Sequence, residues 1–193
     1  MRRATPVVLI VLLFLPGCGN GNGRVEQPRA VVDLDPDDPS ILMRPFSADE
    51  IRDEWIPGFR LLMRRTSSAG TTHVERWTVV SADRDGVEIE YATITDDGSV
   101  AEEPSIARSG WVELRDHASF PASHSTREWV SRSTALGDFE GWLYRVVEPD
   151  SAVINEFFFV PTLPGAPVHM RTLEGDTTVF ELEQTTRLRT DTD

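Results

Sequence analysis

An alternation of apolar and polar side chains with a period of two residues is the feature that most constrains the fold of this chain. Between Val87 and Thr93, β-branched or aromatic side chains occupy the odd positions, and Glu88, Glu90 and Ala92 lie between them. This pattern predicts a strand with one buried and one solvated face. Turn-forming sequences flank the stretch, DRDG at 83–86 and DDG at 96–98. The segment is therefore predicted to be one strand of an antiparallel sheet.

Similar stretches recur along the chain and are separated by Gly, Asp and Pro. They predict eight strands, at about 59–68, 72–82, 86–95, 125–133, 139–148, 152–160, 167–174 and 177–188. Because the connections are short, neighbouring strands must run antiparallel. The predicted fold class is α+β, mainly β: a single strongly curved antiparallel sheet or open barrel with one or two short helices. A two-sheet sandwich is the structural alternative.

Two short helices are expected beside these strands. Ser47 and Glu50 have the spacing of a capping box, and Phe46 and Ile51 that of a hydrophobic staple, which predicts a helix over 48–55. A second helix is predicted within 109–118 (SGWVELRDHA), where the apolar side chains have helical spacing.

The N-terminus has the pattern of an export signal. Two arginines precede the apolar run 7–15, which is too short to span a bilayer as a helix. The run ends in Leu15-Pro16-Gly17-Cys18, which resembles the lipobox of bacterial lipoproteins. The resemblance implies cleavage before Cys18, acylation of its thiol, and anchoring to a bacterial envelope membrane. The outer membrane is the expected location in a Gram-negative organism.

These signals predict three segments. Residues 1–17 are a lipoprotein signal peptide, 18–45 are a disordered acidic tether rich in Gly and Pro, and 46–193 are a single mainly-β domain. Four aspartates within 33–38 lack the glycine and glutamate that an EF-hand calcium loop requires, so they are predicted to be a solvated acidic run.

Charge and cysteine content narrow the classes of partner. The net charge of −13 argues against nucleic-acid binding. All 19 basic residues are arginine. The single cysteine excludes an internal disulfide.

The candidate catalytic and metal-binding residues are isolated. The four histidines, His73, His117, His124 and His169, do not have the spacing of a zinc motif. Asp116 and His117 are adjacent on a predicted helix, and Asp138 and Glu140 share one face of a predicted strand; solvated side chains explain both pairs more simply than catalysis. No metal or cofactor is therefore expected, and an enzyme is the least favoured class.

Aromatic side chains suggest a binding role instead. Trp77, Trp142, Tyr144 and Phe158 are candidates for lining an apolar cavity, although packing in the core explains such aromatic side chains more simply. The order of lipobox, tether, helix and long antiparallel strands resembles the lipoprotein-carrier and receptor half-barrels of the bacterial envelope. The arginine-only basic set and residues 157–168 also resemble lipoproteins of GC-rich bacteria.

The half-barrel resemblance implies lipid or lipoprotein binding. The leading prediction is a non-catalytic envelope lipoprotein that binds an apolar or amphipathic ligand such as lipid. The alternative is a scaffold or assembly factor that docks a protein partner through the sheet.

Overall fold

A computed structural model describes residues 38–189. The predicted signal peptide, Cys18 and most of the predicted tether lie outside the described residues. In chain order, the elements are α1 (Ala48–Glu54), β1 (Arg60–Ser67), β2 (Thr72–Ala82), β3 (Gly86–Ile94), β4 (Ser105–Gly110), α2 (Trp111–Asp116), β5 (Ser125–Thr134), β6 (Gly137–Val147), β7 (Val153–Phe159), β8 (His169–Glu174) and β9 (Thr177–Leu188). Within residues 38–189, neither helix is long and apolar enough to cross a bilayer.

All nine strands belong to one antiparallel sheet, in the order β4-β3-β2-β1-β9-β8-β7-β6-β5. The end strands β4 and β5 do not pair with each other, so the sheet is not closed. The predicted single antiparallel sheet is confirmed, and the sandwich alternative is wrong. The sheet has one more strand than predicted because Ser105–Gly110, which is paired only with β3, is an edge strand that lacks apolar alternation.

Both helices lie within their predicted ranges, and α1 begins for the predicted reason. At α1, the Ser47 hydroxyl accepts a hydrogen bond from the Glu50 amide, and the Glu50 carboxylate accepts one from the Ser47 amide at 2.8 Å. The second helix begins only at Trp111, since the residues before it form β4.

The chain before α1 is already part of the folded domain. Ile41 pairs with Pro121, the Leu42 amide donates to the Phe120 carbonyl at 2.9 Å, and Arg44 forms an ion pair with Asp116 at 3.0 Å. The folded contacts thus begin within the segment that the composition assigned to the tether.

The helix-side face of the sheet is covered by aromatic packing. Phe120 stacks on Phe157 with ring centroids 4.8 Å apart and lies 4.9 Å from Tyr144, while Phe46 packs edge to face on Phe159. These residues lie on one face because Tyr144 and Phe157 are paired across β6 and β7.

Part of the opposite face is covered by the end of the β5–β6 hairpin. Residues 130–141, called the hairpin arm below, fold back over β7. Its apolar side chains pack against a buried cluster that includes Leu143 and Phe158; these arm residues are Val130, Leu136 and Phe139. Strand β7 is therefore covered on both faces, which is typical of a strand with a nearly continuous apolar sequence.

Candidate docking surface

Strand β5 forms one open edge of the sheet. Ten residue pairs join it to β6, from Ser125↔Val146 to Thr134↔Gly137. Within residues 38–189, no strand pairs with its other side. An open edge presents main-chain N–H and C=O groups to which a further strand can add.

An aromatic and cationic cluster lies on the helix-side face of this edge. Arg127 and Trp129 are two residues apart on β5 and are opposite Tyr144 and Trp142 of β6. The rings of Trp129 and Trp142 meet edge to face at 4.8 Å, and 48% of Trp129 remains exposed. We call Arg127, Trp129 and Trp142 the edge patch.

The charge of Arg127 is held by aromatic rings. Its guanidinium lies 3.4 Å from the centroid of Trp142 and 5.7 Å from that of Tyr144, a cation–π arrangement. Among the described residues, Arg127 forms no salt bridge, and its Nε atom has no hydrogen-bond partner. By contrast, three other arginines of this half of the sheet form ion pairs with the single carboxylate of Glu156: Arg132, Arg145 and Arg171.

Tyr144 anchors the floor beside the edge patch. It is fully buried, and its hydroxyl donates a 2.6 Å hydrogen bond to the Met43 carbonyl. Burial raises the pKa of Tyr144 to about 12, although the charge and hydrogen bond of Arg127 act in the opposite direction. The patch therefore rests on a buried, hydrogen-bonded side chain.

The four residues predicted to line a cavity do not lie together. Trp142 and Tyr144 are neighbours on the helix-side face, joined through Arg127. Phe158 is buried on the opposite face, because its partner in β6 is Leu143. Trp77 lies on β2 and packs edge to face on Tyr91 at 5.2 Å. The structure thus brings together only one pair of the four.

A shallow apolar groove of about 320 Å³ lies where α1, the hairpin arm and the end of β9 meet. Four apolar side chains line it, together with Glu54, Arg187 and Arg189; the apolar ones are Phe59, Leu136, Phe139 and Leu163. Arg187 is buried and donates to Glu54 at 3.0 Å and to the Pro164 carbonyl at 2.7 Å. Burial lowers the pKa of Arg187, and Glu54 opposes that effect.

The candidate acid–base pairs are engaged in structural contacts. Asp116 forms an ion pair with Arg44 and accepts a hydrogen bond from Arg115. Burial lowers the pKa of the adjacent His117. Asp138 accepts from Ser133 and Glu140 from Ser131 across the β5–β6 hairpin. Within 38–189, no group of three or more His, Cys, Asp or Glu side chains is placed to hold a metal ion.

Sequence reasoning missed Arg127 and Glu156. Arg127 carries a local signal, since an arginine and a tryptophan two positions apart on a strand share one face. Glu156 carries none, because its three arginines come from three other strands.

No protein-family model matches the sequence, and no curated protein is significantly similar to it. Among solved structures, the fold is similar to a crystal structure of MucB, with a TM-score of 0.53 and 12% identity over 74% of this chain and 57% of that chain. A crystal structure of MucB in complex with MucA(peri) matches with a TM-score of 0.50 and 12% identity over 72% of this chain and 55% of that chain. The chain therefore spans little more than half of MucB. At this identity, the similarity establishes a shared fold.

Proposed function

We propose that this protein is a non-catalytic docking module that binds a protein partner through the β5 edge of its sheet. The observation that carries the proposal is Trp129, a large aromatic side chain left 48% exposed on an open edge strand and held by Trp142. Tryptophan and arginine are the side chains most enriched at the energetic centres of protein interfaces. The solved complex of MucB with MucA(peri) supports this reading, since a protein of this fold binds another protein.

We also propose a location for this protein at a bacterial envelope membrane. The lipobox-like Leu15-Pro16-Gly17-Cys18 supports export and acylation of Cys18, so that the docking domain is held at a bacterial envelope membrane. Stable anchoring requires at least two lipid signals, which a doubly or triply acylated cysteine supplies.

Site-specific photocrosslinking tests the docking surface. A benzophenone amino acid is placed at position 129 of the full-length chain, expressed in its own bacterium. The matched control places it at Ile106, which is 63% exposed on the other edge strand, β4. We expect a protein crosslinked from position 129 and absent from position 106. The captured protein is then purified, and Trp129→Ala is expected to weaken its binding at least tenfold while Ile106→Ala leaves it unchanged.

The groove beside α1 supports a second candidate function, binding of an apolar ligand with an anionic group. Its apolar side chains suit the apolar part of such a ligand, and Arg187 and Arg189, both ion-paired with Glu54, place positive charge in the same lining. Native mass spectrometry of the domain released by proteolysis in the predicted tether separates the two functions. A bound small molecule, with no protein crosslinked at position 129, favours the ligand. A measured mass equal to that of the domain alone, together with a protein crosslinked at position 129, favours docking.

A further inference from the structure

We propose that the partner adds to β5 as an extended strand carrying an acidic side chain two positions from a large apolar side chain. This inference rests on the docking function proposed above and specifies the chemistry of the partner at the same edge.

The spacing follows from the register of the sheet. Arg127 and Trp129 are on the same face of β5, so two alternate residues of an added strand lie opposite them. Glu128 points to the other face by the alternation of the strand and does not compete for Arg127 on this side. The recognised segment therefore has its two determinants at positions i and i+2.

The acidic determinant follows from the charge of Arg127. The chain has 32 acidic residues and 19 basic ones, yet none of the acidic residues between 38 and 189 forms a salt bridge with this half-buried guanidinium. Trp142 holds it from one side at 3.4 Å. A carboxylate is the group that a guanidinium binds best, through two parallel hydrogen bonds.

The apolar determinant follows from Trp129. Its ring contacts Trp142 on one side and is otherwise half exposed. An apolar side chain opposite it would bury the exposed part of the ring, as aromatic pairs across strands do.

The other open edge does not offer this chemistry. Strand β4 has six residues and leads directly into α2. Its arginine, Arg108, is already paired with Asp83 at 2.7 Å. A partner strand with an acidic residue is therefore recognised at β5 rather than at β4.

A charge-reversal selection tests the inference. A phage-displayed library of random twelve-residue peptides is selected against the full chain and against Arg127→Glu and Arg127→Gln. We expect the wild type to enrich Asp or Glu two positions from a large apolar residue. Arg127→Glu should replace the acidic residue by Lys or Arg, and Arg127→Gln should lose the acidic preference without gaining a basic one. Unchanged urea-unfolding midpoints show that the variants are folded.

Measurements on the best peptide then test strand addition. We expect hydrogen exchange of the amides within 125–134 to slow at least tenfold, and Trp129→Ala to weaken binding at least tenfold. In an added strand, every second peptide amide points toward β5. N-methylation of these amides should abolish binding, whereas N-methylation of the amides that point away should leave binding intact.

The inference is overturned if Arg127→Glu still selects peptides with an acidic residue, or if no peptide is enriched over a support without protein. It is also overturned if the peptide slows hydrogen exchange only in a segment other than β5. Equal tolerance of both N-methylated sets also overturns it. If crosslinking captures a partner that binds without slowing exchange in β5, the docking function stands and strand addition fails. If neither a partner nor a peptide binds, both fail.

Discussion

The Arg132 guanidinium lies 3.3 Å from the Glu156 carboxylate, although their partners in β6 are far apart along that strand. Arg132 is paired with Phe139, whereas Glu156 is paired with Arg145, six residues further along β6. In a flat sheet, Arg132 and Glu156 would therefore be about 20 Å apart along the strand direction. The hairpin arm must therefore bend back over β7. The Ala135 amide, near its tip, donates to Glu183 of β9 at 2.8 Å, which shows how far the arm reaches.

Glu156 is the electrostatic centre that holds this arm. It is buried, and Arg132, Arg145 and Arg171 surround it. Replacing it by Gln leaves three guanidinium groups without their carboxylate, so we expect Glu156→Gln to lower the free energy of unfolding by about 3 kcal/mol or more. Urea denaturation measures the change. The control, Glu140→Gln, alters an exposed carboxylate of the same arm and should cost less than about 0.5 kcal/mol. Equal effects of the two variants would contradict the role of Glu156.

The pH dependence of stability provides an independent test of Glu156. Burial opposes its ionisation, but hydrogen bonds and charges from Arg171 and Arg132 outweigh burial and hold its pKa below 4.5. Because the folded-state pKa is depressed, the carboxylate contributes its full stabilisation above the unfolded pKa. That contribution is lost as the pH falls through the folded pKa. In urea midpoints measured from pH 7 down to pH 2.5, the gap between wild type and Glu156→Gln should narrow below about pH 4.5. A gap that stays constant to pH 2.5 would show that ionisation of Glu156 does not matter.

Gly141 permits the close approach of β6 to β7 at the base of the arm. A Cβ atom at this position would overlap the Phe159 carbonyl oxygen and lie 3.1 Å from the Phe158 ring. We expect Gly141→Ala to lower the free energy of unfolding by about 2 kcal/mol, because backbone or buried rings must shift. In the control variant Gly110→Ala, the nearest atom to the new Cβ is 3.6 Å away, and the cost should stay below about 1 kcal/mol. Thermal unfolding compares them, and a smaller loss for Gly141→Ala than for Gly110→Ala would rule out the close approach.

Both tyrosines of the chain should resist ionisation. Burial raises the pKa of Tyr91 to about 12, with a contribution from Glu113, and burial raises that of Tyr144 to about 12 against the opposing effect of Arg127. Because the folded pKa values are raised, the tyrosines stabilise the fold fully below about pH 10, and this contribution is lost as the pH rises toward about 12.

Absorbance at the phenolate band follows this titration. The folded protein should show little phenolate at about pH 10.5, whereas the urea-unfolded chain titrates near pH 10. Tyr91→Phe and Tyr144→Phe assign the two transitions. A folded-state transition centred near pH 10 would mean that the rings are accessible to water.

Cys18 should determine the cellular location. We expect Cys18→Ser to abolish incorporation of labelled fatty acid and to move the protein from the membrane fraction to the soluble fraction, because the acyl chains supply the hydrophobic attachment. Trp129→Ala serves as the control and should leave the protein in the membrane fraction. Membrane retention of an unacylated Cys18→Ser variant would reject the lipoprotein prediction.

The local structure of this protein could be predicted from sequence because it depends on neighbouring residues. Three signals act within a few residues: the alternation around Ile89, the turns that flank it, and the Ser47–Glu50 capping box. The structure confirms the strand and the helix that they predict. The antiparallel arrangement also follows locally, since short connections allow no other.

Only the tertiary structure decided which surfaces meet. Tyr144 and Phe158 occupy opposite faces because the pairing register of β6 and β7 sets their sides, and no local pattern specifies that register. The fold of the hairpin arm depends on Glu156 meeting arginines from three other strands. The open edge at β5 arises because the nine-stranded sheet does not close. These features depend on contacts between residues far apart in the chain, whereas a sequence pattern reports only the preferences of residues near one another.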